Sequence, residues 1–296
     1  MNTKKRLYTY VLTVFVLTWA FMFGVIWPAY RKDPNTYAVL AAACMFFPTL
    51  SMLLTRLITK EGFRDMLLRP RFKGNGKAYL MAYLGPTVLM ALGAALYFLV
   101  FPGKLDLNFG YFKSLMAASG VPYEAQAVPA EGLIALQLAQ AVLLAGAVNL
   151  IPALGEEWGW RGYMMPRLRE ITTPGRALLT GGVIWGLWHA PLIALGHNYG
   201  TDYPGFPWPG IACMCLFCVA VGVLLTWLTE KTGSVIPAAV CHGAVNGVFG
   251  FGTYLTADGG NPFIGPAPTG FIGGAPLLIL ALIIAGRMIR RKPQTE

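Results

Sequence analysis

The sequence predicts an all-α membrane protein, a polytopic helix bundle with about eight transmembrane helices. Residues of the set AVILMFWYC make up 56% of the 296-residue chain and charged residues only 12%, and the mean hydropathy is +0.56. A soluble protein carries roughly a quarter charged residues, so this chain has too little polar material to cover a surface in water. Its apolar runs also reach the length of about 20 residues that crosses a hydrocarbon core. Since these runs lack the alternation of barrel strands, helices are the predicted spanning form.

Eight apolar runs account for most of the chain, and each is predicted to be one spanning helix: 7–28, 37–58, 78–101, 132–154, 176–195, 209–229, 234–255 and 272–289. They group into three regions. Residues 1–130 hold helices one to three and their connectors, residues 131–255 form a core of helices four to seven, and residues 256–296 hold the last helix and a basic tail.

The basic residues are distributed unequally between the two sides of the predicted bundle. With the amino terminus inside, nineteen Lys and Arg residues fall on the inner side and four on the outer side, namely Arg31, Lys32, Lys104 and Lys113. This asymmetry follows the positive-inside rule. It predicts a multi-pass protein of the plasma (inner) membrane with both termini in the cytoplasm. The net charge of +10 then reflects orientation and contact with anionic membrane lipids, and no nucleic-acid partner is predicted.

A few ionisable and amide side chains fall within or beside the apolar runs, where each is costly and calls for a reason. Glu156 and Glu157 directly follow the run that ends at Leu154. His189 lies in span five and His242 in span seven. Asn246 comes one helical turn after His242 and shares its face.

Each of these residues also has a purely structural interpretation. Glu157 and Arg161 are an i,i+4 pair that can neutralise one another at a helix end. A lone histidine or asparagine in a membrane helix is commonly a hydrogen-bonding residue between helices. The co-occurrence of a carboxylate, two imidazoles and an amide on three spans favours chemistry over these alternatives.

Two kinds of chemistry fit this set of side chains. In one, the Glu156 carboxylate takes a proton from water and returns it later, while imidazoles and an amide donate hydrogen bonds to an oxyanion. In the other, Glu156, His189 and His242 hold a catalytic zinc with an open position for water. Both routes lead to hydrolysis of an amide bond by water, and the residues leave the choice open. The metal-free route is slightly favoured because the sequence offers no evident partner to orient the two imidazoles.

Three motifs in this order carry a family resemblance: Glu156-Glu157-x-x-x-Arg161, Trp185-x-x-x-His189 and His242-x-x-x-Asn246. They resemble the signature of the CPBP family, the CAAX-protease and bacteriocin-processing (Abi) intramembrane endopeptidases, over about residues 131–255. The family pattern usually has Phe where this chain has Trp185.

The resemblance implies a cytoplasm-facing cavity with a distinct role for each motif. Glu156 would activate water with His189, while His242 and Asn246 would stabilise the oxyanion. Glu157 and Arg161 would shape the site. The family is described both as a metallopeptidase and as a glutamate peptidase. The implied substrate is a peptide or protein with a membrane-anchored, CAAX-like tail.

Two other functions remain open from the sequence. A proton-coupled transporter also uses chains of Glu and His inside a membrane, and a catalytically silent immunity or scaffold protein could retain the fold. The sequence further predicts that the site lies near the inner surface, between spans four, five and seven, with residues 155–175 as a cytoplasmic connector. For His189 to reach that depth, span five would have to begin or kink near Gly181-Gly182.

Overall fold

The computed structural model describes residues 2–120, 123 and 127–290, and within them the chain is almost entirely helical. An isolated bridge between Asn261 and Gly265 is the one extended pairing in this part of the chain. The all-α prediction is therefore confirmed. The basic residues predicted for the tail, Arg291 and Lys292, lie outside the described residues.

Fifteen α-helices follow one another in this part of the chain: α1 (Thr3–Phe21), α2 (Trp27–Lys32), α3 (Tyr37–Cys44), α4 (Phe47–Thr59), α5 (Gly76–Val100), α6 (Gly110–Ala118), α7 (Ala130–Val148), α8 (Leu150–Gly159), α9 (Met165–Ile171), α10 (Pro174–Trp188), α11 (Ala190–Ile193), α12 (Trp208–Thr232), α13 (Ile236–Val248), α14 (Phe251–Tyr254) and α15 (Ala275–Arg290). Two π-helical turns, Met22–Ile26 and Trp160–Met164, join α1 to α2 and α8 to α9 without interrupting the helical path.

Five helical segments are long and apolar enough to cross a membrane: Thr3–Lys32, Tyr37–Thr59, Gly76–Val100, Ala130–Val148 and Trp208–Thr232. They match five of the predicted spans and confirm a polytopic helical membrane protein. The remaining predicted spans correspond to α10, α13 and α15, which have 15, 13 and 16 residues. These are shorter than the roughly 20 residues that a full crossing needs, so the count of eight stays a prediction.

The predicted connector 155–175 is wrong. Helix α7 ends at Val148, and after Asn149 the chain stays helical through α8, a π-helical turn and α9 to Ile171. The apolar run does stop at Leu154, but the charged groups beyond it pair inside the protein, so the helix continues. Glu156 and Glu157 therefore lie within a helix and not at its end.

The predicted start of span five at Gly181-Gly182 is also wrong. Helix α10 begins at Pro174 and runs through both glycines. A Cβ atom on Gly182 would lie 2.5 Å from Cα of Val219, and one on Gly186 would lie 2.4 Å from Cα of Cys215. The glycines therefore serve close packing of α10 against α12, as small residues do between membrane helices.

Contacts between helix ends and connectors define the two ends of the bundle. At the end we call the basic end, Thr3 donates to Glu170 at 2.8 Å and Arg169 pairs with Glu230 at 2.7 Å. At the opposite end, which we call the loop end, Tyr37 hydrogen-bonds His197 at 2.9 Å. The amide of Asp106 also donates to the carbonyl of Leu255 there, at 2.9 Å.

Glu156 and His189 lie at about the same distance from the basic end of the bundle. At about 1.5 Å per residue, Glu156 lies about 20 Å from Ile171, and His189 lies about 20 Å from Pro174. Both Ile171 and Pro174 are at the basic end, so the two functional groups meet deep inside the protein. This removes the need for a late start of α10.

Candidate active site

A cavity of about 330 Å³ lies between α3, α8, α10, α12 and α13. Four of the six predicted site residues line it, namely Glu156, His189, His242 and Asn246. Glu156, His189 and His242 are 2%, 8% and 5% exposed, whereas Asn246 is an exposed residue. The structure thus brings polar residues from three separate parts of the chain to one cavity whose remaining wall is mostly apolar.

The two adjacent glutamates point in different directions, since successive residues on a helix are about 100° apart. Glu156 faces the cavity. Glu157 is fully buried behind the wall, where its Oε1 atom accepts hydrogen bonds from Arg161 at 3.1 Å and from Nδ1 of His242 at 2.8 Å. Glu157 and Arg161 are therefore not in the cavity but fix a residue that is.

Two indole groups hold the carboxylate of Glu156. Nε1 of Trp185 donates to Oε2 at 2.8 Å, and Nε1 of Trp160 donates to the same oxygen at 3.2 Å. Among the described residues no donor reaches Oε1. One oxygen is thus anchored by the protein, and the other is available to a water molecule or a substrate.

Trp185 also links the two glutamates electrostatically. The guanidinium carbon of Arg161 lies 4.2 Å from the centre of the Trp185 ring, in a cation–π contact. The Trp185 and His242 rings are 5.4 Å apart and nearly perpendicular. The buried charges of Glu157 and Arg161 are paired with each other, as buried charges must be.

Hydrogen-bond partners set the proton positions on the imidazoles of His189 and His242. Nδ1 of His189 lies 2.9 Å from the carbonyl oxygen of Trp185. A carbonyl can only accept, so Nδ1 carries the proton and Nε2 of the neutral ring presents a lone pair. For His242, Nδ1 donates to Glu157, and Nε2 becomes a donor when the ring is protonated. The two histidines are thus suited to different tasks.

A third histidine, His197, stands beside the site. Its ring is parallel to that of His189, with ring centres 6.3 Å apart, and it lines the same cavity. Burial lowers the pKa of His197 to about 4, so its imidazole is neutral at pH 7. No role was predicted for His197 from sequence, because it falls in a connector.

The positions of Glu156, His189 and His242 bear on whether these three residues could hold a zinc ion. Among the described residues no three His, Cys, Asp or Glu side chains are grouped closely enough to hold one metal ion. Glu156, His189 and His242 therefore do not form a ready-made zinc shell, and no step proposed below uses a metal.

The expectation that the two imidazoles lack orienting partners, on which the metal-free route was favoured, is wrong. Both imidazoles have an acceptor at Nδ1, the carbonyl of Trp185 and the carboxylate of Glu157, and metal-binding histidines are commonly oriented by such partners. Metal dependence stays a prediction.

Two residues that anchor Glu156 were missed from sequence. From sequence neither Trp160 nor Trp185 was expected to bond Glu156, although both donate to the carboxylate. Their positions contained a signal, because Trp160 follows Glu156 by four residues and Trp185 precedes His189 by four. On a helix that spacing places two side chains on the same face.

The fold and this cavity together define a class: a polytopic helical membrane protein with a glutamate–histidine site inside the bundle. Residues 138–248 match the family model described as Type II CAAX prenyl endopeptidase Rce1-like. CAAX prenyl protease 2 of Methanococcus maripaludis is 32% identical over 99 residues, which are 33% of this chain and 36% of the relative. The chain thus matches about a third of that relative's length. Residues 138–248 are thus similar to type II CAAX prenyl endopeptidases.

Proposed function

We propose that this protein is an intramembrane endopeptidase that hydrolyses peptide bonds with a water molecule activated by Glu156. The observation that carries the proposal is the Glu156 carboxylate itself. It is buried at the wall of a cavity that His189 and His242 also line, with one oxygen held by two indoles and no described donor on the other.

The reaction follows from these groups in two stages. Oε1 of Glu156 accepts a proton from water, whose oxygen then bonds to the carbonyl carbon of the substrate. The lone pair on Nε2 of His189 accepts a hydrogen bond from the second O–H of this water, which keeps that hydrogen, and so orients the nucleophile. Glu156 then returns its proton to the amide nitrogen as the carbon–nitrogen bond breaks, which leaves a carboxyl and an amine product.

The negative charge on the carbonyl oxygen needs donors placed in advance. Protonated His242 offers its Nε2–H, because Glu157 accepts from the other nitrogen of the ring. Asn246 offers its amide from the same face of α13, one turn further on. Arg161 neutralises Glu157 and so keeps this partner of His242 in place.

The direct test is cleavage of a panel of quenched peptides by the purified protein. Glu156→Gln keeps the size and the indole acceptor but removes the base, and we expect turnover to fall about 10²–10⁴-fold. Glu131→Gln, at an exposed position on the first turn of α7, is the matched control and should keep full activity. A Glu156→Gln variant that retains more than about a tenth of wild-type turnover would refute the assignment.

A second arm of the same assay addresses the metal. The protein is assayed with and without a chelator, and its zinc content is measured. About one zinc per chain that disappears in His242→Ala, together with loss of activity on chelation, would establish the metal-dependent route. Full activity in chelator would establish the metal-free route.

A further inference from the structure

The cavity is closed toward the basic end of the bundle. Directly beyond Glu156 on that side, Tyr10, Trp160 and Tyr163 have no exposed surface, and the Tyr10 ring packs on the other two with ring centres 5.8 and 5.1 Å away. Beyond these rings, Glu61 pairs with Arg167 at 2.6 Å. Among the described residues, none from the basic end lines the cavity, so this part of the chain gives a substrate no path to Glu156 from that end.

Toward the loop end, by contrast, the cavity wall is formed by residues next to connectors. Ala38, at the start of α3, and His197 and Asn198, between α11 and α12, line it. A second cavity of about 510 Å³ adjoins it and shares Asn198 and Phe249 with it. The second cavity lies among connector residues that include Tyr111 and Gly200, so the path to Glu156 leads to the loop end.

The charge distribution assigns these ends to sides of the membrane. Of the 23 Lys and Arg residues, 19 belong to the side that carries the basic end. Arg161 is one of them but is buried in the site, and Arg291 and Lys292 lie outside the described residues. This leaves 16 described Lys and Arg residues on the side of the basic end against 4 on the side of the loop end. Such an excess places the basic end in the cytoplasm.

We infer that the site takes its substrates from the extracytoplasmic side of the membrane. That these substrates are cleaved rests on the proposed function. This departs from the cytoplasm-facing cavity that the family resemblance implies. The inference combines the closed basic end, the connected cavities at the loop end and the charge asymmetry. Substrates with their scissile bond in a cytosolic tail would have no route to Glu156.

The cavity wall also indicates the kind of peptide that fits. Apart from the site residues it is mostly apolar, with Met45, Leu192, Met214 and Phe217 around the polar centre. A peptide with apolar side chains flanking the scissile bond would bury them there. The substrate class is therefore an apolar segment of a membrane-anchored or secreted polypeptide, presented at the outer face.

Cysteine labelling in intact cells tests the access route and needs no enzyme activity. Single cysteines replace three exposed residues: Ala38 at the cavity wall, Asp202 at the loop end and Thr173 at the basic end. Each single cysteine is introduced into a variant that lacks the five native cysteines. Each is also introduced into the wild-type protein, and labelling of the unchanged wild-type protein is then subtracted as the blank. We expect a membrane-impermeant maleimide to label Ala38→Cys and Asp202→Cys in intact cells, and Thr173→Cys only after the cells are opened.

Two labelling patterns would overturn the inference. In the first, Thr173→Cys reacts in intact cells and Asp202→Cys does not, which reverses the orientation. In the second, Asp202→Cys reacts in intact cells but Ala38→Cys does not, which closes the cavity on the outer side. Because labelling is independent of turnover, these results are distinct from failure of the Glu156→Gln test.

A reporter experiment then tests the substrate side. A peptide cleaved by the purified protein is fused to a single membrane span, either just outside or just inside the membrane, in cells that express wild-type protein or Glu156→Gln. We expect Glu156-dependent cleavage of the outer reporter at least tenfold above that of the inner one. Preferential cleavage of the inner reporter would contradict the inference, whereas absence of Glu156-dependent cleavage from the peptide panel itself would contradict the proposed function.

Discussion

At the scale of single residues, Trp185 is the most informative side chain, although an indole is not itself an acid, a base or a nucleophile. Trp185 occupies the motif position where the family usually has Phe, and only an indole can donate a hydrogen bond there. Its Nε1 lies 2.8 Å from Oε2 of Glu156, while its ring contacts Arg161 and His242. In this chain the aromatic residue at this motif position therefore helps to orient the Glu156 carboxylate.

Trp185→Phe keeps the aromatic ring and removes this donor. A hydrogen bond to a charged group is worth about 1.5–3 kcal/mol, so we expect kcat to fall at least about 10-fold while KM changes little. Trp158→Phe is the control, because its indole donates at 2.9 Å to the carbonyl of Met66, away from the cavity. Equal kcat for Trp185→Phe and wild type would show that Glu156 does not depend on this bond.

At the scale of helices, sequence reasoning succeeded where apolar runs are long and failed where polar groups pair inside. The long apolar spans were predicted, including α5 and α12. The continuation of α8 beyond Leu154 was not, because the burial of the local Glu157–Arg161 pair depends on His242 of the distant helix α13. The four predicted cavity residues could be found from motif spacing, and the spacing of Trp160 from Glu156 also contained a signal. The part of His197 in the cavity wall and the depth of the site required the three-dimensional arrangement.

The close approach of α10 and α12 gives a test at this scale. A Cβ atom at position 182 would lie 2.5 Å from the backbone of Val219, so Gly182→Ala must push the helices apart. We expect the free energy of unfolding to fall by about 1–3 kcal/mol and peptide turnover to fall with it, since α10 positions His189.

Gly85→Ala is the matched control, because no atom lies within 4 Å of a Cβ built on that residue of α5. Its unfolding midpoint should be unchanged or slightly higher, given the better helix propensity of alanine. A Gly182→Ala variant as stable and as active as Gly85→Ala would contradict the close packing.

At the scale of the whole molecule, a cluster of charges ties separate parts of the chain together at the basic end. Glu61, just after α4, accepts hydrogen bonds from Tyr163 and Arg167 and lies 3.5 Å from Nε of Arg6. The cluster thus joins the connector after α4 to α1 and α9. It also lies beneath the closed side of the cavity and helps to keep that end sealed.

This cluster predicts how stability depends on pH. Burial alone would raise the pKa of Glu61, but the hydrogen bonds from Tyr163 and Arg167 lower it overall. A carboxyl whose pKa is lowered in the folded state stabilises above its unfolded pKa of about 4.3, and this contribution is lost as the pH falls through the folded pKa.

We therefore expect Glu61→Gln to be less stable than wild type at pH 7, and the difference to shrink as the pH falls below about 4. Thermal unfolding in detergent over a pH series measures this, with the exposed Glu131→Gln as control. A difference between Glu61→Gln and wild type that stays constant from neutral to acid pH would contradict the assigned role of this carboxyl.

The central claim is that residues from α8, α10 and α13 act as one hydrolytic site, and a double-mutant cycle tests it most directly. Values of kcat/KM are measured for wild type, Glu156→Gln, His189→Ala and the double variant with one peptide. Residues that act as a unit are strongly non-additive. We predict that the double variant is no more than about threefold worse than Glu156→Gln alone. Losses that multiply, or single variants close to wild type, would contradict the account.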